Sequence, residues 1–173
     1  MSYISTGVEY ALHCLLFLVA RTEEKTEANV RDLAVLQGVS VEYLAKLFTK
    51  LAKAGLVVAA EGARGGFALA KPAEAITFLD VVVATDGDKP LFDCQEIRAR
   101  CAVFGEKPPR WATTGRCSIH QVMLAAEERM REELAAHTLG ALAVQVAGKA
   151  PANFGVQIET WLKDRKQHRY EAL

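Results

Sequence analysis

The chain has 173 residues and a mass of 18.9 kDa, a size that fits one domain with an appendage. Hydrophobic residues make up 51% and charged residues 24%, which excludes a disordered chain, a collagen-like repeat and a coiled-coil rod. The 21 basic and 21 acidic residues balance, so a globally basic surface is excluded as well.

The most apolar segment, residues 11–20, is about half the roughly 20 residues that a membrane-spanning helix needs, and His13 interrupts it. The N-terminus has neither the basic region nor the small-residue cleavage site of a signal peptide. We therefore expect a cytoplasmic protein without a membrane anchor. In that compartment a cysteine serves more often as a thiolate ligand or redox group than as half of a structural disulfide.

Helical patterns follow one another in the first part of the chain. Apolar residues at three- and four-residue steps predict a mostly buried helix over residues 6–21. Asn29 and Ser40 are suitable N-caps for two further helices, over residues 30–37 and 41–54. Because a three-residue turn that contains glycine links these two helices, the pattern is that of a helix-turn-helix.

Two β-prone segments follow, over residues 56–60 and 67–70, and a glycine-rich turn links them. A helix-turn-helix followed by a hairpin is a winged helix. The expected fold class is therefore mainly α with a small β-hairpin.

A winged helix of this kind is suited to bind DNA, because its second helix enters the major groove. Residues 29–72 contain six basic and three acidic residues, a local net charge of +3. Lysines on a helix are by themselves more typical of a solvated face, but the hairpin with Arg64 at its tip favours DNA. The predicted DNA-binding residues are Ser40, Tyr43, Ala45, Lys46, Lys50 and Arg64.

The second half of the chain is less regular. A helix is predicted over residues 76–86, and a proline-containing region without clear periodicity follows it. A long helix with one apolar stripe then begins at Cys117, as is typical of a dimerisation surface. We divide the chain into a winged-helix domain (1–86), a cysteine-bearing loop (87–116), a dimerisation helix with a short following helix (117–147) and a C-terminal tail (148–173).

Three of the four cysteines, Cys94, Cys101 and Cys117, have the spacing C-x6-C-x15-C, and His120 follows three residues after the last. Iron–sulfur clusters are held by thiolates, largely from loops. This is neither a ferredoxin nor a zinc-finger spacing, however. The spacing alone leaves a metal site and free surface thiols about equally favoured.

Glu9 and His13 stand at i and i+4 on the first predicted helix, so both project from one face. The pair can ligate a metal, although a hydrogen-bonded pair against the core is the commoner arrangement. Cys14 points about 100° round the helix from His13 and is expected to be a small buried residue. No phosphate-binding loop, serine elbow or two-histidine metal helix is present, so we predict that the protein is not an enzyme.

The segment from Gly38 to Val57 and the segment from Gly62 to Leu69 strongly resemble the Rrf2 family of bacterial winged-helix regulators. The resemblance extends over approximately residues 2–140. Members of this family are homodimers that bind inverted-repeat operators, and iron–sulfur redox regulators belong to it. The resemblance therefore implies a dimeric DNA-binding regulator that senses redox or related stress through a cluster shared between subunits.

Two ligand patterns of this family compete. The IscR-like branch uses three loop cysteines and a following histidine, which here are Cys94, Cys101, Cys117 and His120, at longer spacings than in that branch. The RsrR-like branch combines a glutamate and a histidine from the first helix of one subunit with two cysteines of the other. Residues 7–14 and 92–98 resemble that branch, and its ligands are then Glu9, His13, Cys94 and Cys117.

We favour the RsrR-like set, and with it a 2Fe-2S cluster. Cys101 is then a spare thiol, a fourth sulfur for a 4Fe-4S cluster or a replacement ligand, and His120 is the other alternate. Two further hypotheses stay open because a fold does not fix a function. One is a cluster-free regulator with a thiol–disulfide switch. The other is an iron–sulfur electron carrier or adaptor on a winged-helix scaffold.

Overall fold

The computed structural model describes residues 3–19, 27–59 and 66–171, without the side chains of residues 168–171. Its residues form two units, one over 1–88 and 134–173 and the other over 89–133. The predicted wing residue Arg64 lies outside the described residues.

The larger unit contains the helix-turn-helix and the hairpin. Its elements are α1 (Thr6–Phe17), α2 (Val30–Gln37), α3 (Val41–Lys53), β1 (Val57–Ala59), β2 (Phe67–Leu69), α4 (Phe78–Asp86), α7 (Leu139–Lys149) and α8 (Phe154–Glu171). The two strands are antiparallel and pair Val57 with Leu69 and Ala59 with Phe67. The predicted mainly α fold with a small hairpin is confirmed.

Local capping interactions set the ends of these helices. The Asn29 side chain accepts a hydrogen bond from the N–H of Arg31, and Gly38 ends α2 in the left-handed region at φ 69°. At α4, Thr77 and Asp80 form a capping box in which each side chain accepts from the other's backbone N–H. Because Thr77 is the cap, α4 begins two residues later than the sequence pattern predicts.

The core of this unit lies where α1, α3 and α4 pack against one another. Phe48 and Leu44 of α3 are fully buried, and burial of one such side chain stabilises the fold by about 1.5–3 kcal/mol. The Phe48 ring also lies 5.1 Å from the Phe67 ring, measured between centroids, so α3 packs on the hairpin. At the edge of the core, the N–H of Ser5 donates to the Asp86 carboxylate at 2.8 Å and joins α1 to α4.

The segment assigned to a C-terminal tail is helical over Phe154–Glu171. Three apolar side chains at helical spacing pack on or within the core: Ile158, Trp161 and Leu162. Arg165 Nε lies 3.3 Å from Oδ1 of Asp32 on α2, and Lys166 Nζ lies 3.8 Å from Oε2 of Glu27. These contacts place the helix on the larger unit, although only three of its apolar residues pack there and the segment is otherwise largely polar.

The smaller unit, residues 89–133, contains short helical turns over Ile97–Arg100 and Ala102–Phe104, the helix α5 (Arg110–Thr113) and most of α6 (Ser118–Ala136). The N–H of Leu91 donates to the Glu127 carboxylate at 3.0 Å, which attaches the start of the unit to α6. None of the described helices has the length and hydropathy that crossing a membrane requires.

Candidate nucleic-acid interface and cysteine site

Helix α3 has a buried face and an exposed face. Leu44, Leu47, Phe48 and Leu51 face the core. The exposed face carries Glu42, Tyr43, Ala45, Lys46, Thr49 and Lys50. Because the buried face fixes the rotation of the helix, the predicted residues of α3 lie together on the solvent side.

The N-terminus of α3 presents a connected polar group. Ser40 Oγ accepts a hydrogen bond from the N–H of Tyr43 at 3.4 Å and donates to Glu42 Oε2 at 2.8 Å. The pKa of Glu42 is lowered by a hydrogen bond from its own backbone N–H, then by Ser40 and by the charge of Lys46. An ionised carboxylate here can accept from a base amino group in a major groove. Sequence reasoning missed Glu42, although its place two residues after the cap indicates it.

Tyr43 connects α3 to α1. A Cβ added at Gly7 would lie 2.8 Å from the Tyr43 hydroxyl oxygen, so the hydroxyl lies directly over that glycine. The Tyr43 ring also makes an edge contact with Tyr10, with centroids 5.9 Å apart and planes at 87°. Helix α3, the second helix of the helix-turn-helix and its expected recognition helix, is thus held against α1, which carries Glu9 and His13.

The two predicted lysines of α3 differ in their surroundings. Lys46 is exposed on the helix surface. Lys50 Nζ donates to the carbonyl oxygen of Thr85 at 2.6 Å, near the C-terminus of α4. Its ammonium therefore stabilises the contact between α3 and α4, because a cation is favourable at a helix C-terminus.

Glu9 and His13 line an open apolar groove of about 580 Å³. Both side chains are exposed, one helical turn apart. The apolar lining comes from α1, α4, α6 and α7: Ile4, Val8, Leu12, Leu16, Phe78, Val82, Leu134, Leu142 and Val146. A carboxylate and an imidazole thus stand in a mainly apolar surface, to which Ser5 and Thr6 add hydroxyl groups.

Cys14 is buried, as the sequence predicts, with none of its surface exposed. Burial raises the pKa of this thiol to about 12. It therefore keeps its proton at neutral pH, whereas a metal ligand has to be a thiolate.

In the smaller unit, Arg98 connects the segments that carry Cys94 and Cys117. Its Nη2 donates to the carbonyl oxygen of Gly115 at 2.9 Å, and its Nε donates to the Glu96 carboxylate. The pKa of Arg98 is raised by the hydrogen bond with Glu96, and further by the charge of Glu96 and by the thiols of Cys117 and Cys94. Both cysteines therefore lie within electrostatic reach of one guanidinium.

The other predicted groups of this unit have different surroundings. Cys101 is exposed. The His120 ring makes an edge contact with Phe92, at 6.2 Å between centroids. Cys117 is 8% exposed and directly precedes α6, where its carbonyl oxygen accepts from the N–H of Gln121. None of the four cysteines is in a disulfide.

Within the part of the chain that the structure describes, no three His, Cys, Asp or Glu side chains gather as a metal site. One chain brings Cys94 and Cys117 to a common arginine and exposes Glu9 and His13 on the other unit. A 2Fe-2S cluster needs about four protein ligands. The predicted set offers two thiolates, an imidazole and a carboxylate, which are donor types that suit such a cluster.

Comparison with known proteins identifies the family. Residues 4–145 match the family described as Rrf2, iron-dependent transcriptional regulator. The protein rrf2 of Nitratidesulfovibrio vulgaris strain Hildenborough is 32% identical over 150 residues, which cover 87% of this chain and 92% of that protein.

Two further proteins are similar over parts of their sequence or in fold. The HTH-type transcriptional regulator IscR of Vibrio vulnificus is 37% identical over 95 residues, 55% of each protein. CymR, the global cysteine regulator of B. subtilis, has the same fold, with a TM-score of 0.63 at 24% identity over 84% of this chain and 98% of CymR. Because the family match spans most of the chain and includes the helix-turn-helix and hairpin, this chain belongs to the Rrf2 family of DNA-binding transcriptional regulators.

Proposed function

We propose that this regulator binds inverted-repeat operator DNA as a homodimer and senses redox or related stress through a 2Fe-2S cluster shared between subunits. The observation that carries the proposal is the division of the donors between the two units. Arg98 hydrogen-bonds the segments that carry Cys94 and Cys117 in one unit, and Glu9 and His13 line the groove of the other. Each unit thus offers two of the four ligands of the RsrR-like set, in which each cluster takes ligands from both subunits.

A second copy of this chain is the proposed occupant of the groove. The groove is lined mainly by aliphatic side chains. On α6, Ile119 and Val122 are also apolar, and 64% and 68% of their surface is exposed. Removal of such surfaces from water drives association. In a twofold dimer each chain offers the same surfaces to its partner, so both grooves can be covered at once.

The residues of this chain have distinct roles in the proposed mechanism. Glu9 and His13 of one subunit and Cys94 and Cys117 of the other would hold the cluster, which would supply a redox-active charge when bound. Tyr10 follows Glu9 on α1 and contacts Tyr43 of the recognition helix. A shift of α1 therefore moves the contact on which α3 rests.

Such a shift changes DNA affinity because a dimer has to place two recognition helices in successive major grooves, about 34 Å apart. The redox signal acts by stabilising one dimer arrangement more than the other.

The proposed DNA-binding face consists of Ser40, the N-cap of α3, and of Tyr43, Ala45 and Lys46 on that helix. Arg64 of the wing is proposed to contact the DNA backbone or the minor groove. Lys50, which contacts α4, would add a second cation. A location in the cytoplasm agrees with a DNA partner.

A cluster-free thiol switch is the second candidate function. Cys94, Cys101 and Cys117 are free cysteines of the same unit, and Cys101 is exposed. The shared fold with a protein named as a cysteine regulator supports this candidate. An electron carrier or adaptor is not supported, because the similar proteins are transcriptional regulators.

Iron and acid-labile sulfide, measured in protein purified without oxygen, separate these candidates. We expect about two of each per chain and visible absorbance that bleaches on reduction. About four of each would instead indicate a 4Fe-4S cluster, with Cys101 or His120 as a ligand. Protein that contains neither after reconstitution would leave the thiol switch.

A heterodimer of two ligand variants tests whether the ligands come from different subunits. His13→Ala and Cys94→Ala homodimers should each lose the cluster. A heterodimer with one chain of each kind, purified through two different tags, should contain about half the wild-type iron, because one of its two shared sites is intact. If all ligands came from one chain, the heterodimer would be empty. Cys101→Ala is the matched control and should keep its iron.

Lys46→Ala should weaken binding to duplex DNA selected from a randomised pool. If Lys46 contacts a phosphate, the slope of log affinity against log salt should become shallower by about one. Lys53→Ala, at the last residue of the same helix, is the control and should bind like the wild type. Equal affinity and slope for Lys46→Ala and wild type would remove Lys46 from the interface.

A further inference from the structure

Arg98 joins two segments that are distant in sequence and that each carry a cysteine. Its hydrogen bond to Gly115 spans 17 residues and ends two residues before Cys117. Its partner on the other side, Glu96, lies two residues after Cys94. One guanidinium thus hydrogen-bonds both cysteine-bearing segments.

The backbone at both anchor points is in the left-handed region. Gly115 has φ 72°, and Glu96 has φ 47° although it carries a side chain. A residue other than glycine in this region carries backbone strain and persists only where its surroundings fix it. The ion pair of Glu96 with Arg98 is such a fixing contact.

Arg98 also brings a permanent positive charge to the cysteine-bearing segments. A guanidinium remains protonated under all physiological conditions. The Arg98 side chain is only 23% exposed, so water screens its charge less than that of a fully exposed arginine. Thiolates and the clusters that they hold are anionic, and a nearby cation offsets their repulsion.

We propose that Arg98 is the positioning residue of the cysteine site, which ties the Cys94 segment to the Cys117 segment and keeps a fixed positive charge where the two segments meet. The tether concerns this chain alone, whereas the effect of the charge on a cluster rests on the function proposed above. A fixed cation favours the reduced, more negative state of a cluster. Arg98 would therefore raise the midpoint potential of a cluster held by these cysteines.

Three variants separate the tether from the charge. Arg98→Gln removes the charge and the forked hydrogen bonds. Arg98→Lys keeps the charge, but a single ammonium lacks the planar fork that reaches both Glu96 and Gly115. Arg100→Gln removes an exposed arginine from the same helical turn and is the control.

Hydrogen exchange of the iron-free protein tests the tether, that is, the hydrogen bonds by which Arg98 joins Glu96 and Gly115. The exchange rates of the two cysteine-bearing segments are measured without any cluster. In Arg98→Gln and Arg98→Lys, peptides over residues 93–98 and 114–118 should exchange about tenfold faster, because a hydrogen bond to a charged group is lost. Arg100→Gln should exchange like the wild type. Unchanged exchange in both Arg98 variants would overturn the tether.

A redox titration of the iron-loaded protein tests the effect of the Arg98 charge on the midpoint potential of the cluster. The midpoint potential should fall in Arg98→Gln and stay near the wild-type value in Arg98→Lys. An unchanged potential in Arg98→Gln would overturn the role of the charge. Wild-type protein that never takes up iron would instead refute the proposed cluster and the charge role that rests on it, while hydrogen exchange still decides the tether.

A separate observation concerns α8, which lies beyond the residues matched to the family. Its Arg165 pairs with Asp32, a residue of α2 that is only 2% exposed. Its Leu162 and Lys166 border a small cavity together with Ala28 and Gly66. Helix α8 thus contacts α2, the first helix of the helix-turn-helix. It also lies beside the base of the wing, by which we mean the junction of Ala28 with Gly66 and Phe67.

The base of the wing is a close junction. Ala28 and Phe67 exchange backbone hydrogen bonds at 2.8 and 3.1 Å, and a Cβ at Gly66 would lie 2.7 Å from the Ala28 carbonyl oxygen. We infer that α8 is a brace that holds α2 and this junction in the arrangement that binds DNA. Arg165 also lies 5.4 Å from the centre of the Trp161 ring, so its position is set from within α8.

The double variant Leu162→Ala with Arg165→Gln should loosen the brace without touching α3. Peptides over residues 28–33 and 66–69 should exchange faster, and affinity for duplex DNA should fall about tenfold if the junction has to be ordered to bind. Val156→Ala, at a 65% exposed site on α8, is the control and should change neither quantity. Wild-type exchange and affinity in the double variant would overturn the inference.

Discussion

The burial of the apolar face of α3 against α1 and α4 is the interaction on which the rest of the larger unit depends. Phe48 and Leu44 are fully buried there, and the Phe48 ring also contacts Phe67 of the hairpin. This packing fixes the rotation of α3, so that Glu42 and Lys46 face solvent. The proposed DNA-binding face is thus a consequence of the core, because only side chains excluded from the core remain to meet another molecule.

The same packing makes the recognition helix sensitive to its neighbours. Tyr43 rests over Gly7 and against Tyr10 of α1, and Lys50 donates to the C-terminal end of α4. A change in either helix reaches α3 through direct contacts rather than through a flexible loop. Close-packed interfaces of this kind shift between discrete arrangements, which suits a regulator that has to switch.

The elements that the sequence predicts well have local signals. The caps Asn29 and Ser40 and the turn glycines mark helix ends within a few residues, and apolar residues at three- and four-residue steps mark the buried faces. Helix α8 and the role of Arg98 could not be predicted in this way. The contact of Arg165 with Asp32 spans 133 residues and that of Arg98 with Gly115 spans 17, and no local pattern encodes either.

The burial of Cys14 has a consequence for the chemistry of the whole chain. With a thiol pKa of about 12 and no exposed surface, this residue offers oxidants and electrophiles almost no thiolate. The other three cysteines all belong to the unit of residues 89–133. Cysteine oxidation is thereby directed to that unit and away from the core on which the proposed DNA-binding face rests.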